Sequence, residues 1–300
     1  MSTGHDQFTR QDPVDQHASP GSGDRVVTYP GLTGELDVRP DHGENTYRGS
    51  GRLVDRKTIV TGGDSGIGRA VALAFAREGA DVLISHLESE QEDAEETLRL
   101  VRDAGRTGVS VPGDLRDEDQ CGRVVERAVA EFGQVDVLVA NAGYQRSHEN
   151  GISDVGTDDF DRVFKTNVYA LFWLVKAVIP HMKPGSSIIT TSSVQAFNPS
   201  PHLLDYAASK AAIVNFTKGL GANLVSKKIR ANSVAPGPVW TPLIPSTFPR
   251  ERLESFGVQS PMGRAGQPAE LAPIYVFLAS QESSYMTSEV LGVTGGTPIT

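Results

Sequence analysis

Tyr206 and Lys210 stand four positions apart, shortly after the serine pair Ser192-Ser193. On a helix, residues four apart share one face, so a phenol and an ammonium would meet there. A free phenol titrates near about 10 and exchanges protons poorly at neutral pH. A neighbouring ammonium favours the phenolate and lowers that value. A tyrosine tuned in this way can give a proton to, or take one from, an oxygen whose carbon exchanges a hydride. A serine hydroxyl can hold the same oxygen. Alone, Tyr-x-x-x-Lys on a helix is usually an ordinary surface pair, so its meaning depends on the elements around it.

Those elements begin with Thr61-Gly62-Gly63-Asp64-Ser65-Gly66-Ile67-Gly68, which follows the apolar run Thr58-Ile59-Val60 and leads into an apolar-periodic stretch from Arg69. Strand, glycine turn and helix in succession are the context of a nucleotide site. The glycines allow close backbone approach to a pyrophosphate, and the helix start offers free N–H groups and a positive dipole end. Gly113-Asp114-Leu115 and Asn141-Ala142-Gly143 each follow a further apolar run. Asp114 could accept from an adenine amino group with Leu115 against the ring, or could cap a helix. Asn141 and Gly143 could frame a cofactor ribose or close a loop.

The spacing predicts strands over 57–61, 81–85, 107–111, 135–140, 187–192, 230–234 and 290–293. Between them it predicts helices over 66–78, the acidic stretch up to about 104, 118–132, 158–181, 205–226 and 268–279. Gly79, Gly105 and Gly133 mark helix ends. Strands alternating with helices imply an α/β fold, a Rossmann-type doubly wound parallel sheet. It forms a single catalytic domain over 52–300, preceded by an arm over 1–51. The arm is rich in Gly, Pro, Asp and Gln, and its first two dozen residues are expected to be disordered. Val26 to Pro30 and Tyr47 could anchor it on this or a neighbouring subunit. Val168 to Val175 is apolar all round, more than one sheet-facing stripe needs. The next helix carries Ala207, Ala208, Ala211, Ala212, Gly219, Gly221 and Ala222. An oligomer built on this pair is expected, as a homotetramer.

The 300 residues carry a formal charge of −9 and one cysteine, Cys121. That balance argues against nucleic acid or an anionic membrane as partner, and a lone cysteine allows no intrachain disulfide and no cysteine-rich metal site. The N-terminal residues are polar with no apolar run among them, so no secretory signal is expected, and the apolar stretch from Val168 to Ile179 is broken by Lys176 and too short for a bilayer span. A cytoplasmic protein is expected. Glu90, Glu92, Asp93, Glu95 and Glu96 read as a solvated helix face.

Taken together, the motifs resemble the short-chain dehydrogenase/reductases over about 51–300. The glycine stretch 61–68 is similar to the family's TGxxxGxG, Asn141-Ala-Gly143 to its NAG, Tyr206-Ala-Ala-Ser-Lys210 to its YxxxK, and Pro236-Gly237 with Thr241 to the segment beside the nicotinamide. Ser193 stands at the catalytic serine's place and Asn167, in Lys-Thr-Asn-Val, at that of the structural and catalytic asparagine. The Glu-Asp-Ala-Glu-Glu-Thr run, Pro-Gly-Asp-Leu, Asn-Ala-Gly-Tyr-Gln and the arm resemble a bacterial subgroup described as general-stress or glucose/ribitol-type dehydrogenases. That subgroup usually has Asn where this chain has Ala140.

The resemblance implies that Tyr206 is the acid and base, Lys210 lowers its pKa and holds ribose hydroxyls, Ser193 polarises the carbonyl, and Asn167 positions a water that links Lys210 to solvent. It implies a cofactor site of Gly62, Asp64, Ser65, Gly66, Ile67, Gly68, His86, Asp114, Leu115, Asn141, Ala142, Gly143, Pro236, Gly237, Val239 and Thr241. Hydride passes directly between nicotinamide and carbon, so no metal is expected.

The end of the second strand reads Ser85-His86-Leu87, with no carboxylate where one would select NAD. Arg69 could reach a phosphate or be a plain surface arginine. NADP or NAD is expected, with a lean to NADP. Gln145 and Gln195 are candidate substrate contacts beside Ser193 and Tyr206, and the proline-rich stretch 240–262 is a candidate lid. The predicted activity is reduction of a small aldehyde, ketone or sugar, or oxidation of its alcohol. The alternatives are a 3-oxoacyl-carrier-protein reductase, which the acidic balance disfavours, and a nucleotide-binding regulator without turnover.

Overall fold

The computed structural model describes residues 5–17 and 25–299. Among them, seven strands form one parallel sheet: β1 (Lys57–Thr61), β2 (Asp81–His86), β3 (Gly108–Pro112), β4 (Val137–Ala140), β5 (Ser187–Thr191), β6 (Arg230–Pro236) and β7 (Val290–Val293). Their order is β3-β2-β1-β4-β5-β6-β7. Thr58 of β1 lies opposite both Val82 and Val137, and Ile59 opposite Leu83 and Leu138. The order reverses between β1 and β4, so the chain leaves these two strands in opposite directions and a crevice opens at their carboxyl ends. Both faces of the sheet are covered. That is why β2 is buried at every position and its centre reads as a continuous apolar run.

Helices α1 (Gly66–Arg77), α2 (Gln91–Asp103) and α9 (Pro268–Ala279) cover one face. Helices α3 (Glu118–Phe132), α5 (Ala170–Val178) and α6 (Leu204–Leu224) cover the other. In α1, Ala70, Ala72, Ala74 and Ala76 are buried, which lets the helix sit close to the sheet and to α9. It stops at Gly79, whose φ of 99° an L side chain rarely adopts. Asp117 caps α3, its carboxylate accepting from the Asp119 N–H.

The helix expected over 158–181 is not continuous. It comprises α4 (Thr157–Phe164), a π turn over Lys165–Tyr169, α5, and a 3₁₀ turn over Ile179–His181. By length and composition alone the whole run Thr157–His181 could cross a bilayer. Its Val163, Leu171, Leu174 and Val178 are instead buried inside the domain, as in a core helix. Two short helices, α7 (Leu243–Thr247) and α8 (Arg250–Leu253), lie in the long stretch after β6.

The expected disorder of the first two dozen residues concerns, at 1–4 and 18–24, positions outside the described residues. Residues 5–17 lie against the domain: Gln16 Nε2 donates to Glu270 Oε1 at 2.7 Å and Arg264 Nη2 to the Pro13 carbonyl at 2.7 Å. The arm then runs over the rim of the site. Thr33 donates through N and Oγ1 to Asp93 Oδ2, Trp240 Nε1 to the Val38 carbonyl, and Val27 N to the Pro245 carbonyl.

Candidate active site

The carboxyl end of β5 and the start of α6 bring the proton-transfer groups together. Ser192 and Ser193, adjacent in sequence, part company here. The Ser192 hydroxyl donates to the Val234 carbonyl of β6 at 3.0 Å. The Ser193 hydroxyl accepts from Gln195 N at 3.1 Å and faces the cleft that Tyr206 lines, where it pulls the phenol's pKa down. Asp205, fully buried, accepts from Tyr206 N at 2.8 Å and faces His148 Nε2 at 3.3 Å, which pins the first turn of α6. Lys210 is buried; its Nζ donates to the Thr191 carbonyl at 2.8 Å and lies 5.4 Å from the Tyr206 ring centroid.

Burial moves both groups toward their neutral forms. It raises the Tyr206 phenol to about 12. It lowers Lys210 to about 7. Desolvation is thus the larger influence on the Tyr206 phenol, with the Ser193 hydroxyl pulling the other way.

Asn167 lies just behind, on the π turn. Its Oδ1 accepts from Tyr144 N at 2.8 Å, and its Nδ2 donates to the Tyr144 carbonyl and the Ser209 hydroxyl, each at 2.9 Å. Its side chain thus fixes the loop after β4, next to Lys210. Asn141 is likewise held by protein: Nδ2 reaches the Thr61 and Gly62 carbonyls, and Oδ1 accepts from Thr191 Oγ1. Thr191 also pairs with the Tyr275 hydroxyl at 2.8 Å, so Asn141 ties β1, β4 and β5 together at the crevice.

One cavity runs from Tyr206 to the ends of β2 and β3. It is lined by Gly62, Asp64, Ser65, Gly66, Ile67, His86, Asp114, Leu115, Asn141, Ala142, Gly143, Pro236, Gly237, Val239 and Thr241 from the expected cofactor set. Gln145, Ser193, Gln195, Tyr206 and Lys210 line it as well. Gly68 is beneath the wall: a Cβ there would fall 1.8 Å from the Gly62 carbonyl oxygen, so only glycine lets α1 start so near β1. At Gly66 a Cβ would meet Thr241 at 2.9 Å.

Three buried polar atoms in this wall have no protein partner among the described residues: Asp64 Oδ2, Ser85 Oγ and His86 Nε2. Buried polar atoms normally find a partner. Orphans beside a glycine cradle and a helix N-terminus fit the ribose and phosphates of a dinucleotide.

The end of β2 differs from expectation. Arg69 is neither a phosphate ligand nor a surface residue. It is buried, donating to the Asp64 carbonyl, Thr97 Oγ1, the Asp93 carbonyl and Asp93 Oδ1. Nor is the acidic stretch all solvated: Asp93 is buried on Arg69 and Thr33, and Glu90 lines the cavity, its Oε2 accepting from Leu87 N at 2.8 Å. Burial raises the Glu90 carboxyl, with Asp64 adding to the effect. Burial likewise raises Asp64, with Asp93 adding and His86 opposing. No carboxylate stands at the end of β2 itself; a 3₁₀ turn over Glu88–Glu90 follows it and brings Glu90 to the cavity wall.

Gln145 and Gln195 reach the cavity but spend amide atoms on protein. Gln145 Nε2 donates to Thr247 Oγ1 of α7, and Gln195 Oε1 accepts from Ser200 N. In the lid stretch, Trp240 is fully buried among Ile244, Leu253 and Ala265, whereas Phe248 and Phe256 line the cavity.

Comparison with known proteins agrees with this geometry. A family model described as enoyl-(acyl carrier protein) reductase matches residues 62–298. The uncharacterized oxidoreductase YhxD of Bacillus subtilis is 55% identical over 90% of this chain and 91% of its own length. The glucose and ribitol dehydrogenase homolog of Oryza sativa is 46% identical over 90% and 94%. A solved short-chain dehydrogenase from Burkholderia cenocepacia in complex with NADP superposes with a TM-score of 0.76 at 30% identity, covering 82% of this chain and 98% of that one. A parallel sheet with its switch point between β1 and β4, a glycine cradle on β1, and serine, tyrosine and lysine at β5 and α6 accompany a family match over most of the length: the chain belongs to the short-chain dehydrogenase/reductase family of oxidoreductases.

Proposed function

We propose that this enzyme interconverts a small aldehyde, ketone or sugar carbonyl and the corresponding alcohol, with NADP or NAD as hydride carrier. The observation that carries this reading is that Ser193, Tyr206 and buried Lys210 line the same cleft as the glycine cradle. A bound nicotinamide supplies or removes the hydride.

The remaining work falls to side chains. Ser193 holds the substrate oxygen. Tyr206, kept protonated by its buried setting, donates its proton to that oxygen in reduction and recovers one in oxidation. Lys210, its Nζ 5.4 Å from the Tyr206 ring centroid, is placed to hold ribose hydroxyls beside the phenol. Asn167 fixes the loop after β4 through Tyr144, and with it the path by which a water reaches Lys210. Gln145 and Gln195 shape the substrate end.

The name of the rice relative supports a sugar or polyol substrate, and the NADP complex of the Burkholderia protein supports NADP. Half-exposed Tyr169 and Phe172 on the π turn and α5 support a subunit contact there, in a homotetramer. The lone, buried Cys121 supports a cytoplasmic setting. Screening aldehydes, sugars and polyols with each cofactor, by absorbance of the reduced nicotinamide, tests the reading. Turnover of at least one small carbonyl or polyol is expected. Binding of both dinucleotides without turnover of any would overturn it.

A further inference from the structure

The arm bears an aromatic group into the nucleotide cleft. Tyr29 and Pro30 line the cavity together with Glu90 and Arg116, on the side where β2 and β3 end. The Tyr29 ring meets that of Tyr144 edge-on at 5.0 Å. The Arg162 guanidinium lies 4.0 Å from the Tyr144 ring centroid and 4.9 Å from that of Tyr29. Arg162 has no carboxylate within ion-pair distance among the described residues, unlike Arg116, which is paired with Asp114. Two contacts fix the backbone beside Tyr29. Val27 N donates to the Pro245 carbonyl, and a Cβ at Gly31 would fall 3.0 Å from the Pro242 carbonyl oxygen. These contacts hold the ring in place, but they give no reason for it to line the cleft or for the arginine to lack an ion pair. A stacking platform for a purine nucleotide accounts for both.

We propose that Tyr29 is a contact residue for the ADP-ribose half of the dinucleotide, held in place by Arg162 and Tyr144. The arm therefore completes the cofactor site. This inference rests on the reading of the cleft as a dinucleotide site.

Full-length protein, wild type and the variants Tyr29→Ala and Tyr29→Phe, is titrated by calorimetry with ADP-ribose, NADH and NADPH, after a thermal melt establishes that each is folded. Loss of one aromatic–base stack predicts that Tyr29→Ala weakens all three ligands by about tenfold. Tyr29→Phe, which keeps the ring, should stay within about threefold of wild type. The Arg162→Met variant, with both tyrosines left in place, should weaken ADP-ribose in the same direction. A folded Tyr29→Ala protein with wild-type affinity for ADP-ribose overturns the inference while leaving the proposed function intact. Wild-type protein that takes up none of the three ligands overturns both.

Discussion

At the residue scale, chemistry is set by which side chains the protein leaves without partners. Ser192 and Ser193 differ in nothing but the direction each faces, and β6 consumes one of them. At the far end of the cleft, Asp64 and Glu90 are both held up by burial, to about 6 and about 8. They share the site with His86 and Asp93, and Arg69 is already committed to Asp93. When the two carboxyls are protonated they can donate to a phosphate; once ionised they repel one. Discrimination against NADPH should therefore grow as pH rises through about 6 to about 8, the values just given. The ratio of NADPH to NADH dissociation constants, measured across that range, is expected to climb, and Glu90→Gln should flatten the climb. A ratio indifferent to pH in wild type would remove Asp64 and Glu90 from cofactor choice.

At the element scale, the arm is fastened to the end of α1 by the Arg77 guanidinium, which donates to the Gly43, Glu44 and Tyr47 carbonyls, and by the Glu78 carboxylate. Glu78 is fully buried and accepts from the Tyr47 hydroxyl, Ser50 N, Arg52 N and the Arg52 guanidinium. Burial alone would raise it, but the Arg52 hydrogen bonds and the others outweigh burial and hold it at about 2, below its ordinary 4.5. A depressed carboxyl contributes stability that is fully present above about 4.5 and is lost as pH falls toward about 2. Glu78→Gln removes the charge that faces Arg52 and should cost about 3 kcal/mol at neutral pH, seen as a Tm lower by roughly 5 °C or more. The gap between the two proteins should narrow in acid.

The elements also show what the sequence could reveal. Strand periodicity and glycine stops located all seven strands within a residue or two, because a sheet buried on both faces is written as apolar runs. The break at Asn167 was invisible: a π turn keeps helical composition, and the Asn167 side chain's partner there, Tyr144, is distant in sequence. Glu90 and Tyr29 escaped for a related reason. One sits on a 3₁₀ turn and the other on an arm, neither of which has a period to read. Arg69 misled because charge suggests exposure, and only tertiary packing shows it buried on Asp93 and Thr97.

At the scale of the whole molecule, apolar groups remain outside the core on the helical run after β4. Phe160, Tyr169 and Phe172 are each close to half exposed. Exposed aromatics gathered on one helical run suggest a contact surface, and we propose that subunits meet there. Light scattering on purified protein should give the mass of a tetramer, and Phe172→Glu should shift it toward smaller species. A monomeric wild type would contradict the assembly.

The central claim is that Tyr206 moves the proton that accompanies the hydride. The most direct measurement compares wild type with Tyr206→Phe, using the best small carbonyl substrate, for kcat and for dinucleotide dissociation constant. The phenyl ring preserves the wall of the cleft, while the exchangeable proton is lost. The prediction is a kcat lower by about a thousandfold or more with cofactor affinity within about twofold of wild type. A Tyr206→Phe enzyme that keeps kcat within about tenfold of wild type would contradict it.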